Sequence, residues 1–239
     1  GQTPSKSAEV KFTVKIFDPA KVKNIIPLGE LNGGYIETQT INGVTINNKS
    51  DTNGEAYDIE IYAPTDMTLE NYSYYTASDD PSNRHLGFRV SKEVMLSLDH
   101  IIWVPDIIRE VTPATSNSSF FPPTKRLSFK AGDLIAKTTG TALAHNWNIY
   151  ATDSRQRNTF VNQERYDRVK DSYGYVYAVC PFSYYEESIE QEFIALMGWS
   201  APGQSSTCGT NSRDIKGSIS GIWHLTKDGV REDYQGAFA

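Results

Sequence analysis

The clearest pattern of apolar and polar positions lies near the start of the chain. From Val10 to Ile16, every second residue is apolar and the residues between them are Lys or Thr. Successive side chains of a strand point to opposite faces, so this period of two predicts a strand with one solvated face. The run from Tyr57 to Tyr62 repeats the alternation and ends before Pro64. Both segments therefore favour a β-rich protein.

Further extended runs follow at intervals, separated by turn residues. The dipeptides Asn42-Gly43 and Asp228-Gly229 adopt the positive-φ conformations of tight turns, and each predicts a hairpin. Apolar residues between Tyr184 and Trp199 recur at helical spacing, with acids in the first turns, and predict one amphipathic helix. The remaining predicted strands are Leu86–Val90, Ile101–Val104, Leu127–Lys130, Trp147–Ala151 and Tyr173–Val179.

Two segments rich in Ser, Thr and Pro interrupt these runs. They are Thr112–Lys125 and Ser200–Asp214, and their composition predicts surface loops. We expect the Phe120-Phe121 pair of the first loop to fold back onto the core. The sequence contains no internal repeat or hinge-like linker, so we expect residues 1–9 to form an N-terminal tether and residues 10–239 a single all-β domain.

Composition narrows the classes of partner. The 239 residues carry a formal net charge of −6, whereas proteins that bind nucleic acid or anionic membranes need clustered Lys and Arg. The sequence has no run of 18 apolar residues, the length that would indicate a membrane-spanning helix. We therefore expect cations or neutral molecules as partners, rather than a nucleic acid or an anionic membrane.

The chain has two cysteines, Cys180 and Cys208. Their spacing does not resemble a zinc site, so the choice lies between free thiols and one disulfide. The disulfide is the favoured interpretation, and it would pin the predicted helical segment to the sheet. It would also indicate an oxidising compartment.

The usual local motifs of catalysis are missing from the sequence. The four histidines stand apart, and neither a GxSxG nucleophile elbow nor a Gly-rich phosphate loop occurs. This does not exclude a triad assembled from distant residues, because triads are defined by geometry.

Tyrosine is abundant and allows two interpretations. Alternate tyrosines on a sheet could form a sugar-binding platform, with acidic residues nearby for glycoside chemistry. They could equally pack in the core and pair across strands, which is the favoured reading. The best platform candidates are Tyr72, Tyr74, Tyr75, Tyr173, Tyr175 and Tyr177.

Three stretches together resemble one family. Between Val22 and Pro64 the chain contains, in order, Val22-Lys23, Ile26-Pro27, Gly29, Gly34-Tyr35-Ile36, Ala56-Tyr57 and Ala63-Pro64. A second patch runs from Thr159 to Pro181, and a third, less specific one from Lys216 to Phe238. This order resembles the major surface lipoprotein family of leptospires, which also occurs in some marine bacteria.

The resemblance implies a jelly-roll β-sandwich displayed at the outer membrane, without enzymatic activity, that binds extracellular-matrix proteins and calcium. It places calcium candidates at Asp99, Asp153 and Tyr173. The family's acidic run is replaced here by ATDSRQRN, and Arg155 and Arg157 would repel a cation. We therefore expect calcium binding to be weak or absent.

The resulting expectation is a non-enzymatic adhesion or structural protein, secreted or held at the cell surface, whose partner is an extracellular protein or a glycan. A lipid anchor ahead of Gly1 would be its only contact with a membrane, and oligomeric state is left open. The alternative is a jelly-roll carbohydrate-binding or carbohydrate-active protein. A flat, filled sandwich would favour the first hypothesis, and converging carboxylates or a Tyr/His pair would favour a carbohydrate-active enzyme.

Overall fold

The computed structural model describes most of the chain. Its described residues are 9–30, 42–46, 59–74, 83–114, 119–140, 146–168, 173–219, 223–224 and 237–238. The strands are β1 Val22–Ile25, β2 Asn42–Ile46, β3 Ile59–Tyr62, β4 Met67–Tyr74, β5 Arg84–Arg89, β6 Val94–Ile101, β7 Leu127–Phe129, β8 Leu134–Thr138, β9 Asn146–Asp153, β10 Ala178–Val179, β11 Trp223–His224 and β12 Ala237–Phe238. The helices are α1 Asp106–Arg109, α2 Gln163–Arg168, α3 Tyr173–Tyr177 and α4 Glu187–Ile194.

One large antiparallel sheet dominates the fold. Its strand order is β1-β2-β9-β6-β5-β4-β7, and β10 pairs with the end of β9. The antiparallel ribbon β3–β8 contributes its buried isoleucines to the same hydrophobic core. The coarse prediction of a β-rich fold with short helices is therefore confirmed. No helix among the described residues is long and apolar enough to cross a membrane.

Several predicted strands are present near their expected positions. Ile59–Tyr62, Arg84–Arg89, Leu127–Phe129 and Asn146–Asp153 are all strands. The predicted strand Ile101–Val104 is wrong, because β6 comes earlier and ends at Ile101. The predicted strand Tyr173–Val179 is mostly wrong, because its first five residues form α3 and only Ala178–Val179 pair with β9.

The segment Val10–Ile16, the strongest strand signal in the sequence, is not a strand. Its amides bond to scattered carbonyls: Phe12 N donates to Tyr184 O, and the amides of Thr13 and Val14 both donate to Pro64 O. Two donors on one carbonyl cannot continue a regular ladder. The alternation still predicted burial correctly, because Phe12 and Ile16 are buried in the core.

The hairpin predicted at Asn42-Gly43 is also wrong. These two residues begin β2 and pair with Ile149 and Asn148 of β9, so tertiary pairing overrides the local turn preference. For the closing segment, β11 and β12 do pair antiparallel. The turn at Asp228-Gly229, residues 1–8 of the predicted tether and Tyr57 lie outside the described residues.

The predicted helix is confirmed as α4, and aromatic packing docks it on the sheet. Phe193 is fully buried, stacks on Phe182 at 4.5 Å between ring centroids, and meets Phe17 edge to face. Phe17 in turn contacts Trp147 of β9, which is also fully buried. These aromatic rings join the helix to the centre of the sheet.

The predicted disulfide is present between Cys180 and Cys208, whose Cα atoms are 5.9 Å apart. It ties the end of β10 to the loop that follows α4. Leu28 N donates to Cys208 O at 2.7 Å, so the same loop also lies against the first part of the chain.

Candidate functional site

The large sheet has one apolar and one polar face. In β6, Leu96 and Leu98 enter the core, and the alternation of a strand turns Ser97 and Asp99 to the other side. The pairing of β6 with β9 places Tyr150 opposite Ser97 and Asn148 opposite Asp99. Polar side chains from both strands therefore share one face.

Strands β4 and β5 extend this arrangement. Ser73 lies opposite His85, Asn71 lies opposite Gly87, and Gly87 lies opposite Ser97 of β6. We call this set the polar face; its members are Asn71, Ser73, His85, Gly87, Ser97, Asp99, Asn148 and Tyr150.

A histidine and a tyrosine occupy the centre of the polar face. His85 Nδ1 lies 2.8 Å from the Tyr150 hydroxyl and 3.9 Å from Asp99 Oδ1. His85 is only 5% exposed and Asp99 only 7%. In the tautomer protonated on Nε2, the Tyr150 hydroxyl donates to Nδ1.

Burial sets the charge of this histidine. Desolvation lowers the pKa of His85, and the nearby Asp99 carboxylate offsets part of that effect by favouring the imidazolium. The imidazole is therefore neutral at pH 7. A neutral imidazole beside a carboxylate is able to accept a proton and hold it as an ion pair.

A backbone irregularity positions Asp99. The β5–β6 register shifts between Arg84 and Leu86, and His100 has a φ of 60°, which is rare outside glycine. In this conformation His100 N donates to Asp99 Oδ1 at 3.1 Å, and Thr138 Oγ1 donates to His100 O. The carboxylate is thus oriented by the backbone next to it.

The middle of the polar face is shaped by a glycine. A Cβ atom on Gly87 would lie 2.5 Å from Asn71 Oδ1, closer than Cβ atoms come to other atoms in real structures, so any other residue would force the Asn71 side chain to move. Asn71 Oδ1 is buried and accepts no hydrogen bond from the part of the chain that the structure describes. A ligand hydroxyl or amide could satisfy it.

An aromatic ring lies at the edge of the histidine. Phe120 meets the His85 ring edge to face at 4.8 Å and is 61% exposed. Its neighbour Phe121 pairs with the backbone of Tyr72 and packs against the core. The expectation that both phenylalanines fold back is therefore confirmed for Phe121 and wrong for Phe120.

The predicted calcium candidates are not brought together. Asp99 belongs to the polar face, whereas Asp153 lies five residues beyond Asn148 along β9, roughly 17 Å away at strand geometry. The side chain of Tyr173 lies outside the described residues. Within those residues, no three His, Cys, Asp or Glu side chains group as a metal site. Weak or absent calcium binding stays a prediction.

Asp153 instead serves an internal network. It is fully buried and accepts hydrogen bonds from Arg155, Gln156 and the Tyr184 hydroxyl. Burial raises the pKa of Asp153, but these hydrogen bonds outweigh it and hold the pKa far below its usual range. The carboxylate is charged and already occupied by protein donors.

Three of the tyrosines proposed as a sugar platform pack inside the protein. Tyr72 and Tyr74 are buried and meet edge to face. Tyr175 is buried with Phe160 and Tyr166 in a separate small aromatic cluster. The favoured core-packing interpretation is correct for these three, and the side chains of Tyr75 and Tyr173 lie outside the described residues.

His85 and Tyr150 were not singled out by the sequence. The available signal was the placement of polar residues at alternate positions of two otherwise apolar runs, at 97 and 99 and again at 148 and 150. Strand pairing then decides which of these residues meet.

Comparisons with known proteins give distant similarities. No family model and no curated protein matches the chain. Two similar solved structures are lysostaphin, at TM-score 0.38, and a mutant of the catalytic domain of the prophage-encoded M23 protein EnpA from Enterococcus faecalis, at TM-score 0.31. Each is 11% identical; the matches cover 88% and 62% of this chain. They cover 62% and 88% of those chains, so this chain spans about three fifths of lysostaphin.

These comparisons contradict the prediction of a non-enzymatic surface protein. One of the two solved structures is lysostaphin, and the other is described as a catalytic domain. The prediction that the chain is not an enzyme is therefore dropped. With TM-scores below 0.5, the two structures carry no argument about a reaction or substrate, for which the polar face is the only basis.

Proposed function

We propose that this protein is an enzyme that performs acid–base chemistry on a carbohydrate polymer, with the Tyr150–His85 pair moving the proton. The observation that carries the proposal is the 2.8 Å contact between the Tyr150 hydroxyl and His85 Nδ1, with the Asp99 carboxylate 3.9 Å from the same nitrogen. A hydroxyl, a base and a carboxylate at these distances meet the geometric requirements of assisted proton transfer.

The proton path is balanced within the three side chains. Tyr150 passes its hydroxyl proton to His85 Nδ1 as its oxygen takes a proton from a ring carbon of the substrate. The electrons of that C–H bond form a C=C bond as the bond between the adjacent carbon and the oxygen of the leaving sugar breaks. Asp99 then stabilises the imidazolium that forms. In the second half of the cycle His85 returns the proton through Tyr150 to the oxygen of the leaving sugar. Burial keeps His85 neutral beforehand, which is the form able to accept.

The chemistry around the pair favours a sugar over other substrates. Phe120 offers an exposed aromatic ring next to His85, and aromatic rings pack on the apolar faces of sugars. Beside it, Asn71, Ser97 and Asn148 provide neutral donors and acceptors that match sugar hydroxyl groups.

Several broader expectations belong to the same proposal. The disulfide supports an oxidising compartment, and with it a secreted or cell-surface location. The jelly-roll arrangement, the single domain from residue 10 to 239, the leptospiral resemblance and a lipid anchor stay predictions.

The test is an activity screen with matched variants. Wild-type protein is incubated with a panel of plant, algal and bacterial cell-wall polysaccharides, and new reducing ends and unsaturated products are measured. Tyr150→Phe removes only the hydroxyl and is expected to lower kcat by about 100-fold or more. Tyr62→Phe is the control, because Tyr62 donates to Glu60 on the β3–β8 ribbon, and it is expected to keep full activity.

Folding of each variant is checked by circular dichroism and thermal unfolding. Failure of the wild-type protein to act on any polymer in the panel would overturn the proposal. So would a folded Tyr150→Phe protein with the activity of the Tyr62→Phe control.

A further inference from the structure

An open groove lies where β4, β5 and β7 run side by side. Two adjoining hollows, of about 380 and 390 Å³, share Thr68, Arg89 and Arg126 in their walls. Lys130 lines one of them and Glu70 the other.

Strand register places this groove on the same side of the sheet as His85. Arg89 lies four residues beyond His85 along β5, so both side chains point to one face, roughly 13–14 Å apart. Thr68 lies opposite both Arg89 and Ser128. A polymer lying over His85 along β5 would therefore reach the groove a few sugar units further on.

The cationic side chains of the groove differ in whether an acidic side chain pairs with them. Arg89 is 3.0 Å from Glu70, and Lys130 is 2.6 Å from Asp66, so these two cations are each paired with an acid. Arg126 is exposed and has no carboxylate within 4 Å among the described residues. The groove thus keeps one guanidinium that its own acids do not neutralise.

We infer that this groove is a subsite for the carboxylate of an acidic sugar unit, with Arg126 as its principal contact. The inference rests on the proposed function and names its substrate class as an anionic polysaccharide. A guanidinium presents parallel N–H donors that match a carboxylate, and such bidentate pairs are both strong and directional. Thr68 and Ser128, whose hydroxyls lie 2.9 Å apart, would add neutral hydrogen bonds at the same place.

The experiment measures binding rather than turnover, by calorimetry at low ionic strength. The probes are polygalacturonate and the same polymer with its carboxylates methyl-esterified. We expect wild-type protein to bind the charged polymer about tenfold more tightly than the esterified one, and Arg126→Gln to abolish that difference.

Two further variants test whether Arg126 causes this difference in affinity. Lys125→Gln removes an equal charge from the neighbouring residue, which does not line the groove, and should change affinity by less than about twofold. Glu70→Gln releases Arg89 from its acid and should tighten binding of the charged polymer.

Equal affinity of wild-type protein for the two polymers would overturn the subsite. So would an effect of Lys125→Gln as large as that of Arg126→Gln, because it would indicate general attraction rather than a specific contact. His85→Gln distinguishes the proposed subsite from the proposed proton-transfer pair. This variant should bind the charged polymer like wild-type protein. Its activity tests only the proton-transfer pair.

Discussion

At the scale of single residues, Asp153 shows how a charged group is kept inside the protein. Its carboxylate accepts two side-chain hydrogen bonds from Arg155, at 2.9 and 2.7 Å, and one from the Tyr184 hydroxyl at 2.8 Å. Those donors remain when the acid is removed. We therefore expect Asp153→Asn to lower the free energy of unfolding at pH 7 by about 2–3 kcal/mol.

Asp153 should also make the stability of the folded protein sensitive to acid. Its pKa in the folded protein lies far below the unfolded value, so its stabilising effect is present above about pH 4 and is lost as the pH falls toward the folded pKa. Urea denaturation of wild-type and Asp153→Asn protein at pH 7 measures the loss of stability. The same comparison at pH 3 measures how much of that difference is lost in acid. Asp66→Asn is the control, because the Asp66 side chain is 60% exposed and should contribute little. A loss equal to that of the control would contradict the prediction.

His85 gives a second pH dependence, in a different window. Burial lowers the pKa of His85 in the folded state, so below about pH 6.5 the unfolded chain binds a proton that the folded chain does not. The free energy of unfolding should therefore fall as the pH drops from about 6.5. Denaturation series from pH 7.5 to 5 should show a shallower decline in His85→Gln. Parallel curves for the two proteins would contradict this account.

At the scale of elements, the disulfide and the segment around Leu28 form one unit. The Cβ of any other residue at Gly209, which has a φ of 84°, would lie 2.1 Å from Leu28 O, so only glycine allows the loop this close. The disulfide holds the loop in place from the other side. Removing it should therefore loosen the contact as well as destabilise the fold.

The corresponding variant is Cys180→Ala/Cys208→Ala. We expect the free energy of unfolding to fall by about 3–4 kcal/mol, because the crosslink closes a loop of 28 residues in sequence separation. Hydrogen exchange at the Leu28 amide, which donates to Cys208 O, should accelerate more than exchange at Leu98 in the sheet centre. Unchanged exchange at Leu28 would show that the loop stays docked without the crosslink.

Elements also differ in how far the sequence predicted them. Strands β5 and β9 and helix α4 are predictable because each has apolar residues at the spacing of its own secondary structure, and those residues pack in one core. The segment Val10–Ile16 has the same period, yet its amides bond to Pro64 and Tyr184 from distant parts of the chain. Asn42-Gly43 has turn chemistry, yet β9 pairs with it as a strand. The local pattern of apolar residues therefore predicts which side chains are buried. It does not predict the hydrogen-bond partners, because these depend on which distant segment packs beside the chain.

At the scale of the whole molecule, the sheet separates a core from a chemical surface. The apolar face is joined through Trp147, Phe17 and Phe193 to helix α4. The polar face collects side chains from β4, β5, β6 and β9, whose order in the sheet differs from their order in the chain. The proposed proton-transfer pair and the proposed carboxylate subsite both lie on this second face.

The sequence by itself determined the β-rich class, the amphipathic helix, the disulfide partners and much of the burial pattern. These follow from short-range periodicity and from there being only two cysteines. Only the tertiary structure decided that His85 meets Tyr150 and Asp99, and that Asp99 and Asp153 lie apart. Those distances depend on strand order and register, which long-range pairing sets and which no local pattern along the chain encodes.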